Sequence, residues 1–353
     1  ELGVYPSSLQ GEGTGWCSAL AANEALMKPF VVVREGEGGA LTTVPYAEAW
    51  PDEMGRVATA LDAAADAAPE GEEALVAYLL AAAQAFRDNS WFTADAAWAA
   101  MSQDNSAWYL RIGPDEVYWD PCTRKAGFHM TLARVDPGSK AWQAKLEPVK
   151  AGMEGAVAEL AGPPYAARPV GFDLPEFIRI VLNAGDSRSA TGATIGQSLP
   201  NWGPVAEAGG RTVAMTNIDD DPDSRASKRR IAQSLLCGSA MDHYVDDPEP
   251  LLMSTVLHEA AHNLGPSHEY AVEGKTDEQA FGGPLAATME ELKAQTTALY
   301  LASWLAEQGV IEPELVQQAH TADVVWGFGK IAQGFTTGDG GRKTYPQLAA
   351  AIT

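Results

Sequence analysis

Five residues limit what this chain can fold into more than any others: His258-Glu259-Ala260-Ala261-His262. An α-helix turns once every ~3.6 residues, so positions four apart share a face. As a helix, this stretch puts both imidazoles where one metal ion can bind them. Glu259, one step round, can then reach a water beside the ion and act as general base. The flanks support a helix. Asp246 or Asp247 can cap it, and Pro248 suits its first turn. Leu251, Leu252, Val256 and Leu257 form an apolar side, and Gly265-Pro266 ends it.

A catalytic zinc takes three protein ligands and keeps one open position. Two residues compete for the third place. His268 completes the long pattern H-E-x-x-H-x-x-G-x-x-H, with Gly265 turning the chain back to the metal; this is the metzincin pattern. Glu291 lies in Met289-Glu290-Glu291-Leu292-Lys293-Ala294-Gln295, on a helix expected from Ala286 to Gln308 and stopped by Gly309. An acidic pair on a helix rich in Leu and Ala can equally be a solvated face. Spacing alone leaves the choice open.

Charge narrows the partners. The chain has 353 residues, enough for about two domains. Its 24 Lys+Arg against 47 Asp+Glu leave a net charge of −23. Such a field repels phosphate backbones and anionic membrane surfaces, so neither nucleic acid nor membrane is an expected partner. The longest apolar stretches, such as Ala74–Ala85, are too short or too broken to insert in a bilayer. No secretory leader is visible, and Glu1 in place of Met implies a processed or excised chain. A soluble protein is expected, cytoplasmic or exported after processing. Cys17, Cys122 and Cys237 are too few for a disulfide framework and lack C-x-x-C spacing. They read as small buried hydrophobes, with at least one unpaired.

Along the chain, Phe30–Arg34 and Leu41–Pro45 read as a strand pair, and Asp52–Ala67 and Glu72–Asp88 as helices. Ser106–Val117 reads as a buried strand broken at Gly113-Pro114, and Phe128–Val135 as another strand. Pro137-Gly138 is a candidate boundary, with a helical segment over Lys140–Leu160 after it. Phe172–Asn183 is a mixed run. Gly185–Asn201 reads as a long polar loop, and Asp219–Asp223 as an acidic surface loop. From Pro248 onward the pattern is mostly helical.

HEAAH followed by LGP and then MEELKAQTTALYLASWL resembles the dipeptidyl peptidase III family of zinc exopeptidases, in its members with the short histidine motif. The resemblance extends beyond the metal motifs. Tyr109 to Pro121 (YLRIGPDEVYWDP) is similar to the family's I-G-x-x-E-x-Y-x-D-P segment. Leu199-Pro200-Asn201-Trp202 is similar to its I-P-N-Y/W loop, and Gln318-Ala319-His320 to its Q-A-H. All five stand in the family's order. A metzincin would explain none of the other four.

The resemblance implies an α+β, predominantly helical fold, with two lobes around a wide cleft. A mixed lobe with a small β-barrel core would span 1–137 and carry Tyr118 on the substrate side. A helical zinc-binding catalytic lobe would span 138–353, with some returning segments assignable to the first lobe. One zinc ion would be held by His258, His262 and Glu291. Glu259 would activate water, and Tyr118 and His320 would donate hydrogen bonds to the developing oxyanion. Asn201 and Glu116 would bind substrate backbone. Glu290, Gln295 and His268 would stand behind the ligands and orient them. Each role has a structural rival. Tyr118 beside Trp119 can anchor a loop, His320 can be a satisfied core histidine, and Asn201 can form a turn. His129 and His243 carry no motif and read as structural.

The expected activity is release of dipeptides from the N-terminus of short peptides. The alternatives are a metzincin-like endopeptidase with His268 as third ligand, and a peptide-binding protein with a degenerate site. A short peptide is the expected partner and a monomer the expected state. Three departures from the family stand out. Gln295 replaces an acid, Ser198 replaces a further Asn, and family members continue well beyond the position of Thr353. The excess of acid would also steer cationic peptides toward an acidic site.

Overall fold

The computed structural model describes residues 3–10, 15–117, 120–122, 124–170, 174–185, 196–208, 210–266, 274–275, 277–281, 283–336 and 343–353. Helices make up 58% of the described residues. The chain divides into two compact units, one of residues 1–137 and 176–215, the other of 138–175 and 216–353.

The first unit is mixed. Strands β1 (Val31–Glu35) and β2 (Leu41–Pro45) pair antiparallel, with Val32 facing Val44. Helix α1 (Gly15–Ala21) precedes them. Helix α2 (Pro51–Asp66) begins with Pro at its first turn and Asp52 and Glu53 beside it, which suits the positive end of the helix dipole. It buries Met54, Ala58, Leu61 and Ala65, the three-to-four spacing of one face. Helix α3 (Glu73–Asp88) buries Leu75, Tyr78, Leu79, Ala82 and Phe86, and ends at left-handed Asn89. Helix α4 (Trp91–Ala100) follows, burying Trp91 and Trp98.

These helices accompany a five-stranded sheet of β3 (Trp108–Glu116), β4 (Ala126–Asp136), β5 (Glu176–Gly185), β6 (Gly196–Leu199) and β7 (Arg211–Met215). The order is β3-β4-β5-β7-β6, and four of the strands curl into a half-barrel. All pairs are antiparallel except β5 with β7.

Gly113-Pro114 does not break β3. Gly113 faces His129 and Pro114 faces Phe128 in an unbroken register. An edge strand tolerates the missing N–H of proline, and β3 lies at the edge of this sheet. Part of the stretch read as a long polar loop is strand β6. The reading of all three cysteines as simple hydrophobes is also overturned. Cys17 on α1 and Cys122 in the β3–β4 connection form a disulfide across 105 residues, while Cys237 is free and exposed. Such a bridge removes loop-closure entropy from the unfolded chain.

The second unit is helical. Its first segment is two helices rather than one, α5 (Gly138–Leu146) and α6 (Lys150–Ala161), because Pro148 cannot continue the hydrogen-bond ladder. The acidic stretch around Asp221 has a structural job. Asp221 caps α7 (Pro222–Leu235), its carboxylate accepting from the Ser224 N–H at 2.9 Å. Then come α8 (Glu249–His262), α9 (Gly283–Glu307), α10 (Pro313–Ile331) and α11 (Thr344–Ile352). Helix α8 is the central element. It buries Met253, Val256, Leu257, Ala260 and Ala261 and packs on α9 and α10. Gly265 and Gly309, both at positive φ, turn the chain after α8 and α9.

Candidate metal centre

His258 and His262 stand one turn apart at the C-terminal end of α8, and α9 lays Glu290, Glu291 and Gln295 beside them. His262 Nδ1 lies 2.9 Å from Glu290 Oε1, and His258 Nδ1 lies 3.0 Å from Gln295 Oε1. A carboxylate and an amide carbonyl oxygen can only accept, so both Nδ1 atoms carry the proton and both Nε2 atoms present lone pairs. Those Nε2 atoms are 3.2 Å apart, and His258 Nε2 is 3.2 Å from Glu291 Oε2. One ligand atom from each of His258, His262 and Glu291 lies within 4.8 Å of the others.

Neutral tautomers facing each other and a carboxylate repel unless positive charge sits among them. One observation agrees with that demand: Glu291 Oε2 is buried and accepts no hydrogen bond among the described residues. Burial lowers the basicity of His258, but the contact with Glu291 and the charges of Glu259 and Glu291 outweigh it and raise it. Two imidazoles and a carboxylate are the donor set of a catalytic zinc, so the residues present fit the ion.

The acids are held ionised. Burial raises Glu290, but hydrogen bonds from His262 and Lys293 more than offset it. Burial likewise raises Glu291, and the contacts with His258, then the charge of His262 and the Tyr345 phenol, bring it below the ordinary range. Gln295, although uncharged, still accepts from His258 Nδ1. Glu259 is on the same helix, partly exposed.

His320 lies on α10, its Nε2 3.2 Å from the carbonyl of Leu299 on α9. Ser254, one turn before His258, donates to both carboxylate oxygens of Asp323 at 2.8 and 3.0 Å, which ties α8 to the helix of His320. His268 lies outside the described residues.

In the first unit, Glu116 and Asn201 come together although they are 85 residues apart in the sequence. The Glu116 N–H donates to Asn201 Oδ1 at 2.9 Å, and Asn201 Nδ2 stands 3.5 Å from Glu116 Oε2. Tyr118 falls outside the described residues. The turn just after it is built on Asp120, whose carboxylate accepts from the N–H groups of Cys122, Arg124 and Lys125. Arg111 and Asp115, from the same motif, form a buried cluster with Asp95: Arg111 Nη1 to Asp95 at 2.7 Å, Nη2 to Asp115 at 2.5 Å.

Two residues around the metal group are not among the expected site residues. Tyr345 is far off in the chain and reaches Glu291 only through the docking of α11. Lys293, one turn beyond Glu290, pairs with it at 2.9 Å. The i,i+3 spacing on a helix was the available clue.

No family model matches the chain, and no curated protein does. Solved structures do. Dipeptidyl peptidase III from Caldithrix abyssi superposes with a TM-score of 0.79 at 24% identity, covering 99% of this chain and 64% of that one. Dipeptidyl-peptidase III from Corallococcus sp. strain EGB gives 0.64 at 25% identity, covering 98% and 63%. The chain thus spans just under two thirds of the length of either structure. The chain thus shares the fold of these dipeptidyl peptidase III structures.

Proposed function

We propose that the chain is a zinc-dependent peptidase of the dipeptidyl peptidase III type, releasing dipeptides from the N-terminus of short peptides. The observation that carries this reading is the convergence of one ligand atom each from His258, His262 and Glu291 within 4.8 Å. A zinc ion held there would supply Lewis acidity for attack of water on a peptide carbonyl. Glu259 takes the proton from the attacking water and passes it to the leaving amine. Glu290 and Gln295 keep the ring protons on Nδ1, so both Nε2 atoms stay available. His320 and Tyr118 donate to the oxyanion, and Glu116 and Asn201 hold the peptide backbone. The substrate is a short peptide with a free amino terminus, which the acidity of the chain suits.

The test is Glu259→Ala. Turnover of an arginyl-arginyl arylamide should fall by about 100–10,000-fold, the range of a lost general base, while bound zinc stays near one ion per chain. A variant that keeps wild-type turnover would sink the mechanism.

A further inference from the structure

The last carbonyls of a helix have no partner within it. In α8 this end carries His262, and two cations collect the carbonyls of residues 262–266. Lys293 Nζ, reaching across from α9, donates to the carbonyls of His262, Leu264 and Pro266 at 3.2, 3.3 and 3.2 Å. Arg168 Nη2 donates to those of Asn263 and Gly265 at 3.2 and 3.4 Å. The Gly265 N–H in turn donates to Glu154 Oε2 at 2.8 Å.

The two cations differ in one respect. Lys293 Nζ also lies 2.9 Å from Glu290 Oε1, the same oxygen that stands 2.9 Å from His262 Nδ1. Its three N–H bonds are thus shared among four acceptors. One ammonium group grips His262 twice, by the backbone carbonyl and, through Glu290, by the ring. Arg168 touches neither the carbonyl of His262 nor Glu290 in the described contacts.

We propose that Lys293 is a positioning residue for the metal: it fixes the ring of His262 against its own backbone, so that Nε2 faces the ion in one orientation. This rests on the metallopeptidase reading above. The competing account is a plain cap, in which Lys293 only satisfies helix carbonyls and complements the helix dipole. Arg168 separates the two, because it caps the same segment without the tie to Glu290.

Metal-free protein is titrated with Co2+, whose visible absorption bands report the geometry of its ligands, and with Zn2+ in competition with a chelator. Lys293→Met should shift the Co2+ bands and weaken zinc binding by about 10–100-fold, the usual effect of losing a residue that orients a ligand. Arg168→Met should leave the bands in place and zinc affinity within about twofold of wild type, as expected for a contact that touches no ligand. If Lys293→Met does not fold, Lys293→Gln carries the same test, being neutral but still able to donate to the helix end. Lys293 variants with wild-type bands and affinity overturn the proposal in favour of the plain cap. A wild-type chain that takes up neither ion overturns the metallopeptidase reading, and this proposal with it.

Discussion

Both units bury ionisable groups, but they balance the charge in different ways. In the first, Arg111 is 3% exposed and lies between Asp95 and Asp115. Burial works against its charge, yet Asp115 holds the guanidinium well above its ordinary basicity. The Asp95 carboxyl is pushed up by burial despite Arg111. The cluster supplies its own cation and faces the core. In the second unit, Glu291 meets two imidazole lone pairs, and no Lys or Arg pairs with it among the described residues. The cation it lacks is what a metal would provide. A buried charge does not mark a site; a buried charge left without its counter-ion does.

That contrast can be broken from either side. The larger effect belongs to Arg111→Met. Removing the cation strands two buried carboxyl groups, a loss of about 3–5 kcal/mol. Urea unfolding should show it, with zinc content unchanged in whatever fraction remains folded. Wild-type stability would mean that the Asp95–Arg111–Asp115 cluster is not the closed charge system described. The smaller effect belongs to Gln295→Ala. It frees His258 Nδ1 and should weaken zinc binding about 10–100-fold, or roughly 1.4–2.8 kcal/mol. Gln295→Glu should restore the affinity or exceed it. If the alanine variant binds zinc as tightly as wild type, Gln295 does not orient His258.

The two regions also differ in how much of them the sequence discloses. The metal group sits on two helices, where a fixed period converts spacing into geometry. Four residues put His258 and His262 on one face, and Gly265 and Gly309 mark where α8 and α9 stop. The pairing of α8 with α9, which brings Glu291 rather than some other acid to the histidines, is a tertiary fact; only family resemblance pointed to it. Lys293 belongs to the Glu290–Gln295 motif, but its grip on the end of α8 needs that same pairing. In the first unit, period carries less information. Strand β3 runs through Gly113-Pro114 because of its edge position, which no local pattern reveals. The Cys17–Cys122 bridge spans 105 residues and follows from the fold, not from Cys spacing. Glu116 and Asn201 meet through a sheet connection that returns from residue 176 onward.

The central claim is that His258, His262 and Glu291 together hold one metal ion. It is tested most directly by zinc content after dialysis, measured for the wild type, Glu291→Ala and His268→Ala. The account predicts about one ion per chain in the wild type and in the His268 variant, and little in the Glu291 variant, as a three-ligand site requires. Zinc retained without Glu291 and lost without His268 would contradict it.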